Sequence, residues 1–166
     1  LIMRETIWGM LCNLKFKSYY LIFLIDKYQR RERNINIFLA ITSATSVGAW
    51  IIWDKFPLLW SGIIICSQII TVIKPFFPFV KYIKELSAKA VNLELLNIEV
   101  EKLWEELQHQ RITNEGASET YFEIRKKVVT LLHFTDEFIF TENKSIESKA
   151  NKRMETFLKT NYGLTP

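Results

Sequence analysis

Residues 34–73 read NINIFLAITSATSVGAWIIWDKFPLLWSGIIICSQIITVI, and this stretch decides the fold. Between Arg33 and Asp54 there is no charged residue, and between Lys55 and Lys74 there is none again. A helix needs about 20 apolar residues at 1.5 Å each to cross a hydrocarbon core about 30 Å thick, and both runs reach that length. The spacing predicts two membrane crossings, over residues 34–53 and 56–73, joined as a tight helical hairpin. A pair of core helices in a soluble bundle is the competing reading of two apolar runs. The first run starts about 34 residues into the chain with its polar residues at its middle, so no cleaved signal peptide is expected.

Working outward, charge follows the same division. Residues 1–33 carry seven basic and three acidic groups, which accounts for the whole formal charge of +4. An excess confined to the flank of a crossing is membrane electrostatics, and it argues against a nucleic-acid-binding face. Arg30, Arg31 and Arg33 precede the first crossing, Lys74, Lys81 and Lys84 follow the second, and only Lys55 lies in the turn between. The positive-inside rule then expects both ends in the cytoplasm and the turn outside, where Trp50, Trp53, Phe56 and Trp60 suit the headgroup level. Pro57 fits the first turn of the second helix, because its missing N–H has no partner there in any case.

The remaining segments read as helices. In residues 1–33, Ile7, Trp8, Leu11, Leu14, Tyr19, Ile22, Phe23 and Ile25 recur at roughly helical spacing among Lys15, Lys17, Asp26 and Lys27. The expectation is an amphipathic helix at the inner membrane interface or against a neighbouring subunit. Pro75 and Pro78 should bend the exit from residues 34–80. In residues 81–142, Leu86, Leu93, Val100 and Leu107 repeat every seven positions, with Ala90, Asn97 and Trp104 complementary. That stripe packs either on a second copy or on the chain's own next helix. A loop is expected at residues 113–118, with Ser118 opening a second helix that folds back on the first. Residues 143–166 hold a last helix with Ser145 as its N-cap and Gly163 near its end. No strand pattern occurs, and the expected class is an all-α membrane protein.

Chemistry-bearing constellations are few. His109 and His133 have no cysteine partner or metal spacing, Cys12 and Cys66 are expected as apolar fillers, and no phosphate loop or nucleophile elbow occurs. Neither an enzyme nor a metal or cofactor is expected. The crossings instead hold Thr42, Thr45, Ser46, Ala49, Ser61, Gln68, Thr71 and, at the inner end, Lys74. Small, weakly polar residues either glue helices together or line a water-filled pore, and a pore requires several copies around an axis. Two basic clusters, Arg125, Lys126, Lys127 and Lys149, Lys152, Arg153, are candidate ligand-binding residues. The second shares one helix face and suits a phosphate-bearing ligand, though interspersed glutamates also fit a solvated face.

An aromatic amino-terminal helix from Trp8 through Tyr19-Tyr20 and Tyr28, the basic Arg30-Arg31-Glu32-Arg33 edge, a tight hairpin and long helices after it together resemble the SLATT family of bacterial two-transmembrane effectors. The likeness covers residues 4–140. It implies an antiphage effector in the bacterial inner membrane, multi-pass, with both termini cytoplasmic. Such an effector works beside a cognate nucleotidyltransferase of the same operon, senses its cyclic nucleotide or short oligonucleotide, and permeabilises the membrane to halt the infected cell. The expected assembly is a homo-oligomer, a tetramer, in contact with the lipid bilayer. The alternative is a membrane-anchored scaffold that recruits a cytosolic partner without conduction.

Overall fold

The computed structural model describes residues 2–44, 56–76, 79–133 and 143–163. Among these there are five α-helices and no strand: α1 (Ile2–Ala44), α2 (Pro57–Ile73), α3 (Phe79–Gln108), α4 (Asn114–Leu131) and α5 (Lys144–Tyr162). A 3-10 turn, Lys74–Phe76, follows α2, where Pro75 removes a backbone donor and interrupts the α-helical ladder. The all-helical class is as the sequence predicts.

The chain divides into two compact units, one of Leu1–Ile25 with Glu85–Pro166 and one of Asp26–Lys84. This departs from the expected segment 1–33. In place of a helix apart at a membrane surface, the start of α1 packs with the later helices and buries Ile7, Leu11, Leu14, Ser18 and Leu21. Their alternating spacings of four and three make a continuous seam, and knobs-into-holes packing needs that spacing as much as an interfacial helix does. Nor does α1 break at residue 33, since no proline or glycine stands near it to interrupt the helix.

Within this helical unit α3 supplies the central seam. Leu86, Leu93, Leu96, Asn97, Val100, Leu103 and Leu107 are all buried, so the heptad stripe packs inside the chain. Residues paired across α1 and α3 descend on one as they rise on the other: Arg4 donates to Gln108, the Trp8 and Trp104 rings lie 5.0 Å apart, and Ser18 meets Glu94. The two helices are antiparallel. Helix α4 returns along α3, with Lys127 Nζ 2.8 Å from Glu99 and Lys89 Nζ donating to the Leu131 carbonyl at 2.9 Å. Helix α5 runs against α1, as Tyr162 meets Trp8 and Arg153 lies over Tyr19.

Helix ends explain where sequence boundaries shift. The α3 carboxy terminus closes with Gln110 at φ +53°, Arg111 N–H donating to the Glu106 carbonyl at 2.8 Å and Gln110 N–H to that of Leu107 at 3.3 Å. That is a Schellman closure with a side chain where glycine is usual. Thr113 then caps α4, its hydroxyl accepting from Gly116 N–H at 3.2 Å, so residues 114–118 are the first helical turn and not the expected loop. Asn143, not Ser145, caps α5 by accepting from Ile146 N–H at 3.1 Å. Gly163 ends it at φ +65°, a left-handed conformation that suits glycine.

The second unit is a helical pair. Lys74 Nζ donates to Asn36 Oδ1 at 2.6 Å, Thr42 Oγ1 lies 2.9 Å from Ser67 Oγ, and Tyr28 meets Phe79 and Tyr82 at 6.0 and 6.2 Å between ring centres. The Asn36–Lys74 and Thr42–Ser67 pairs set the carboxy-terminal part of α1 antiparallel to α2, and Tyr28 meets the start of α3. Pro57 occupies the first turn of α2 as expected. Residues Pro57–Phe76 are long and apolar enough to cross a membrane, and of them only Trp60 is buried within the chain. Among the described residues it alone meets that description. Of the first expected crossing, residues 45–53 lie outside the described residues, as do Asp54, Lys55 and Pro78.

Candidate functional site

The polar residues of the apolar pair separate into two groups once they are placed on helices. At 100° per residue, Trp60 and Ser67 share the α2 face turned to α1, where Trp60 is buried. Thr42 belongs to that contact: its hydroxyl donates back to the Leu39 carbonyl at 3.0 Å while touching Ser67. Thr71 lies near the same face and donates to the Ser67 carbonyl at 2.8 Å. Lys74 is tied to Asn36 and so clasps the two helices. Thr42 and Lys74 therefore join the helix pair, and Thr71 is satisfied by its own helix.

Ser61 and Gln68 lie elsewhere. Seven residues apart, they occupy a lateral face of α2 beside the exposed Ile65, Ile69 and Val72. Ser61 donates to the Pro57 carbonyl at 2.8 Å, whereas the exposed Gln68 carboxamide has no hydrogen-bond partner among the described residues. An amide with four bonding positions and none used needs water or another chain. Cys66 is exposed on this helix and is no core filler. Thr45, Ser46 and Ala49 lie outside the described residues.

The two basic clusters stay apart. Arg125, Lys126 and Lys127 are exposed on α4, with Lys126 3.2 Å from Glu123 and Lys127 2.8 Å from Glu99. Two of the three charges are thus met by carboxylates. On α5, Lys149 and Lys152 are exposed, and Arg153 stacks 6.0 Å from the centre of the Tyr19 ring. Among the described residues no hydrogen bond or ion pair joins one cluster to the other.

The helical unit also holds a buried polar cluster that the apolar periodicity of α1 does not mark. Lys15 is 4% exposed and Ser18 1%, yet both sit in the apolar seam of α1. Lys15 Nζ lies 3.1 Å from Glu94 Oε1 and 2.8 Å from Glu101 Oε1, Ser18 donates to Glu94 Oε2 at 2.9 Å, and the Phe157 ring centre is 4.5 Å from the ammonium. Burial alone would lower Lys15, but contacts with Glu101 and Glu94 outweigh it and hold the ammonium above the ordinary lysine value. Burial would likewise raise Glu94, and hydrogen bonds from Lys15 and Ser18 reverse that and lower it. Beside them Asn97 is fully buried, with its carboxamide oxygen unpartnered. The available signal was spacing: Lys15 and Ser18 fall inside the seam, and Glu94 and Glu101 are seven residues apart on one face of α3.

No model of a known protein family, no curated protein and no solved structure matches the chain.

Proposed function

We propose that this chain is a homo-oligomeric membrane effector of the pore or channel type. In this reading the helical pair of Asp26–Lys84 inserts in the bilayer as a two-span hairpin, and copies associate so that the Ser61–Gln68 face meets a shared watery path. The helices of Leu1–Ile25 and Glu85–Pro166 are its cytoplasmic sensing part. One observation carries most of the weight: Pro57–Phe76 is an apolar stretch in which the chain itself buries only Trp60, with an unpartnered carboxamide on it. Apolar surface of that extent belongs in lipid or against a partner, and the amide in its midst belongs beside water or a second amide. The resemblance to the SLATT family supplies the biological setting, antiphage defence in a bacterial inner membrane triggered by a nucleotide-type signal. Arg125 and the Lys149, Lys152, Arg153 face are the residues offered to it.

A membrane-anchored scaffold without conduction is the second reading. The Thr42–Ser67 and Lys74–Asn36 contacts favour it, because they satisfy polar groups of the hairpin without water. Planar-bilayer recording on the purified full-length protein, with cyclic di- and trinucleotides added as probes, separates the two. The pore reading expects discrete current steps whose size changes in Gln68→Leu. Silence of the wild type under every probe, with the protein inserted, leaves the scaffold.

A further inference from the structure

Along α1, the exposed residues Gln29, Arg33, Asn36 and Ala40 follow spacings of four, three and four, so they lie on one helix face, with Glu32 and Ile37 at its two sides. These six residues line a shallow groove of about 470 Å³ within the unit of Asp26–Lys84. Its polarity changes along its length. The part nearer the helix start holds carboxamides, a carboxylate and a guanidinium, whereas the part after Asn36 holds only Ile37 and Ala40, and Ile37 and Ile41 are at least half exposed. At 1.5 Å per residue the face runs about 16 Å from Gln29 to Ala40, most of the depth of one bilayer leaflet.

The polar end keeps its bonding capacity unspent. Arg30 is met by Asp26 at 2.9 Å, which leaves Arg33 as the cation of this face. Among the described residues neither Arg33 nor Glu32 has an ion pair, and as sequence neighbours they diverge by about 100° around the helix and do not face each other. The Gln29 carboxamide has no partner there either, and Asn36 accepts from Lys74 through Oδ1 at 2.6 Å, so its own N–H groups stay available. The face thus offers three sets of donors and, beside them, one anionic acceptor. Lys74, bonded to Asn36, stands near the end of the apolar stretch Pro57–Phe76, the level at which a crossing chain meets lipid headgroups.

A purely anionic headgroup would use the donors and be repelled by Glu32, and a purely cationic ligand would be repelled by Arg33. A zwitterion with phosphate and ammonium two carbons apart uses both. We infer that this face of α1 seats a phosphatidylethanolamine molecule, with its phosphate on Arg33, Gln29 and Asn36, its ammonium on Glu32, and an acyl chain along Ile37 and Ala40. The inference rests on insertion of the hairpin in a bilayer, whether or not it conducts.

Native mass spectrometry of the full-length protein in non-ionic detergent tests it, with phosphatidylethanolamine, phosphatidylcholine and phosphatidylglycerol of identical acyl chains as probes. Phosphatidylethanolamine should bind tightest, roughly threefold ahead of phosphatidylcholine, whose methylated ammonium has no N–H to donate; that is the scale of an exposed ion pair. Glu32→Gln should erase that preference, and Arg33→Gln should weaken all three lipids by a similar factor. Both side chains lack a partner among the described residues and glutamine is a good helix former, so neither variant disturbs the packing. Equal binding of the three lipids, tightest binding of phosphatidylglycerol, or a preference kept in Glu32→Gln would overturn the assignment. Carbonate extraction of the same protein from vesicles of phosphatidylethanolamine and phosphatidylglycerol separates that result from failure of the functional reading. Retained protein without a lipid preference overturns the lipid seat alone, and extracted protein overturns both.

Discussion

Lys15 Nζ lies 3.1 Å from Glu94 Oε1 across α1 and α3, with the lysine side chain only 5% exposed. One helix thus anchors its amino-terminal part by a charge placed within an apolar seam. Lys15 also reaches Glu101, so each carboxylate backs up the other. Removing both, in Glu94→Gln with Glu101→Gln, orphans a buried ammonium and should cost about 3 kcal/mol of stability, whereas Lys15→Met should cost no more than about 1. Thermal unfolding of the full chain in non-ionic detergent, followed by circular dichroism, measures both; equal losses would show that the pair does not act as a buried ion cluster.

The same cluster sets a pH window. Glu94 is lowered in the folded chain, so its stabilisation is complete above the ordinary carboxylate value of about 4.3 and is lost as pH falls through the lowered one. Lys15 is raised, so its stabilisation is complete below the ordinary lysine value of about 10.4 and is lost as pH rises through the raised one. Unfolding temperature should therefore hold level from roughly pH 6 to 9 and fall on both sides. Glu94→Gln should shrink the acid-side fall, and an unchanged acid limb would remove Glu94 from the account.

Asn97 is wholly buried with its oxygen unpartnered, and its amide N–H reaches Glu94 only at 3.4 Å. A side chain of similar size without polar atoms fits that space at lower cost. Asn97→Leu should leave stability unchanged or raise it by about 1 kcal/mol, read from the same melting curves. A loss of more than about 1 kcal/mol would mean that the oxygen has a bonding role.

Gln110 holds φ +53° at the Schellman closure of α3. A side chain in the left-handed region carries a steric cost of about 1 kcal/mol that glycine escapes. Gln110→Gly should raise stability by up to about 1 kcal/mol, the gain being offset in part by greater freedom of the unfolded chain. Destabilisation would show that the Gln110 side chain contributes more than its strain.

Much of the helical unit was legible because periodicity survives any arrangement: Leu86, Leu93, Val100 and Leu107 are buried wherever α3 finds its partner. The partner was not legible. Ile7, Leu11 and Leu14 with flanking lysines suit a membrane surface as well as a bundle, and Lys15 reads as solvated until Glu94 and Glu101 stand opposite it. Helix starts shifted for a local reason, since Thr113 and Asn143 cap as well as the serines that follow them. In the candidate pore set, spacing could not tell Thr42, turned to Ser67, from Gln68, turned outward, because that distinction depends on which face α1 covers.

In the proposed function, Pro57–Phe76 spans a bilayer as one arm of a hairpin. Single cysteines at Leu58, Ile69 and Phe76, in a chain with Cys12→Ser and Cys66→Ala, report on it through labelling by a membrane-impermeant maleimide in right-side-out and inverted vesicles. Leu58→Cys should be modified from the outer side only, Phe76→Cys from the inner side only, and Ile69→Cys from neither. Modification of Leu58→Cys and Phe76→Cys from the same side, or ready modification of Ile69→Cys from water, would contradict it.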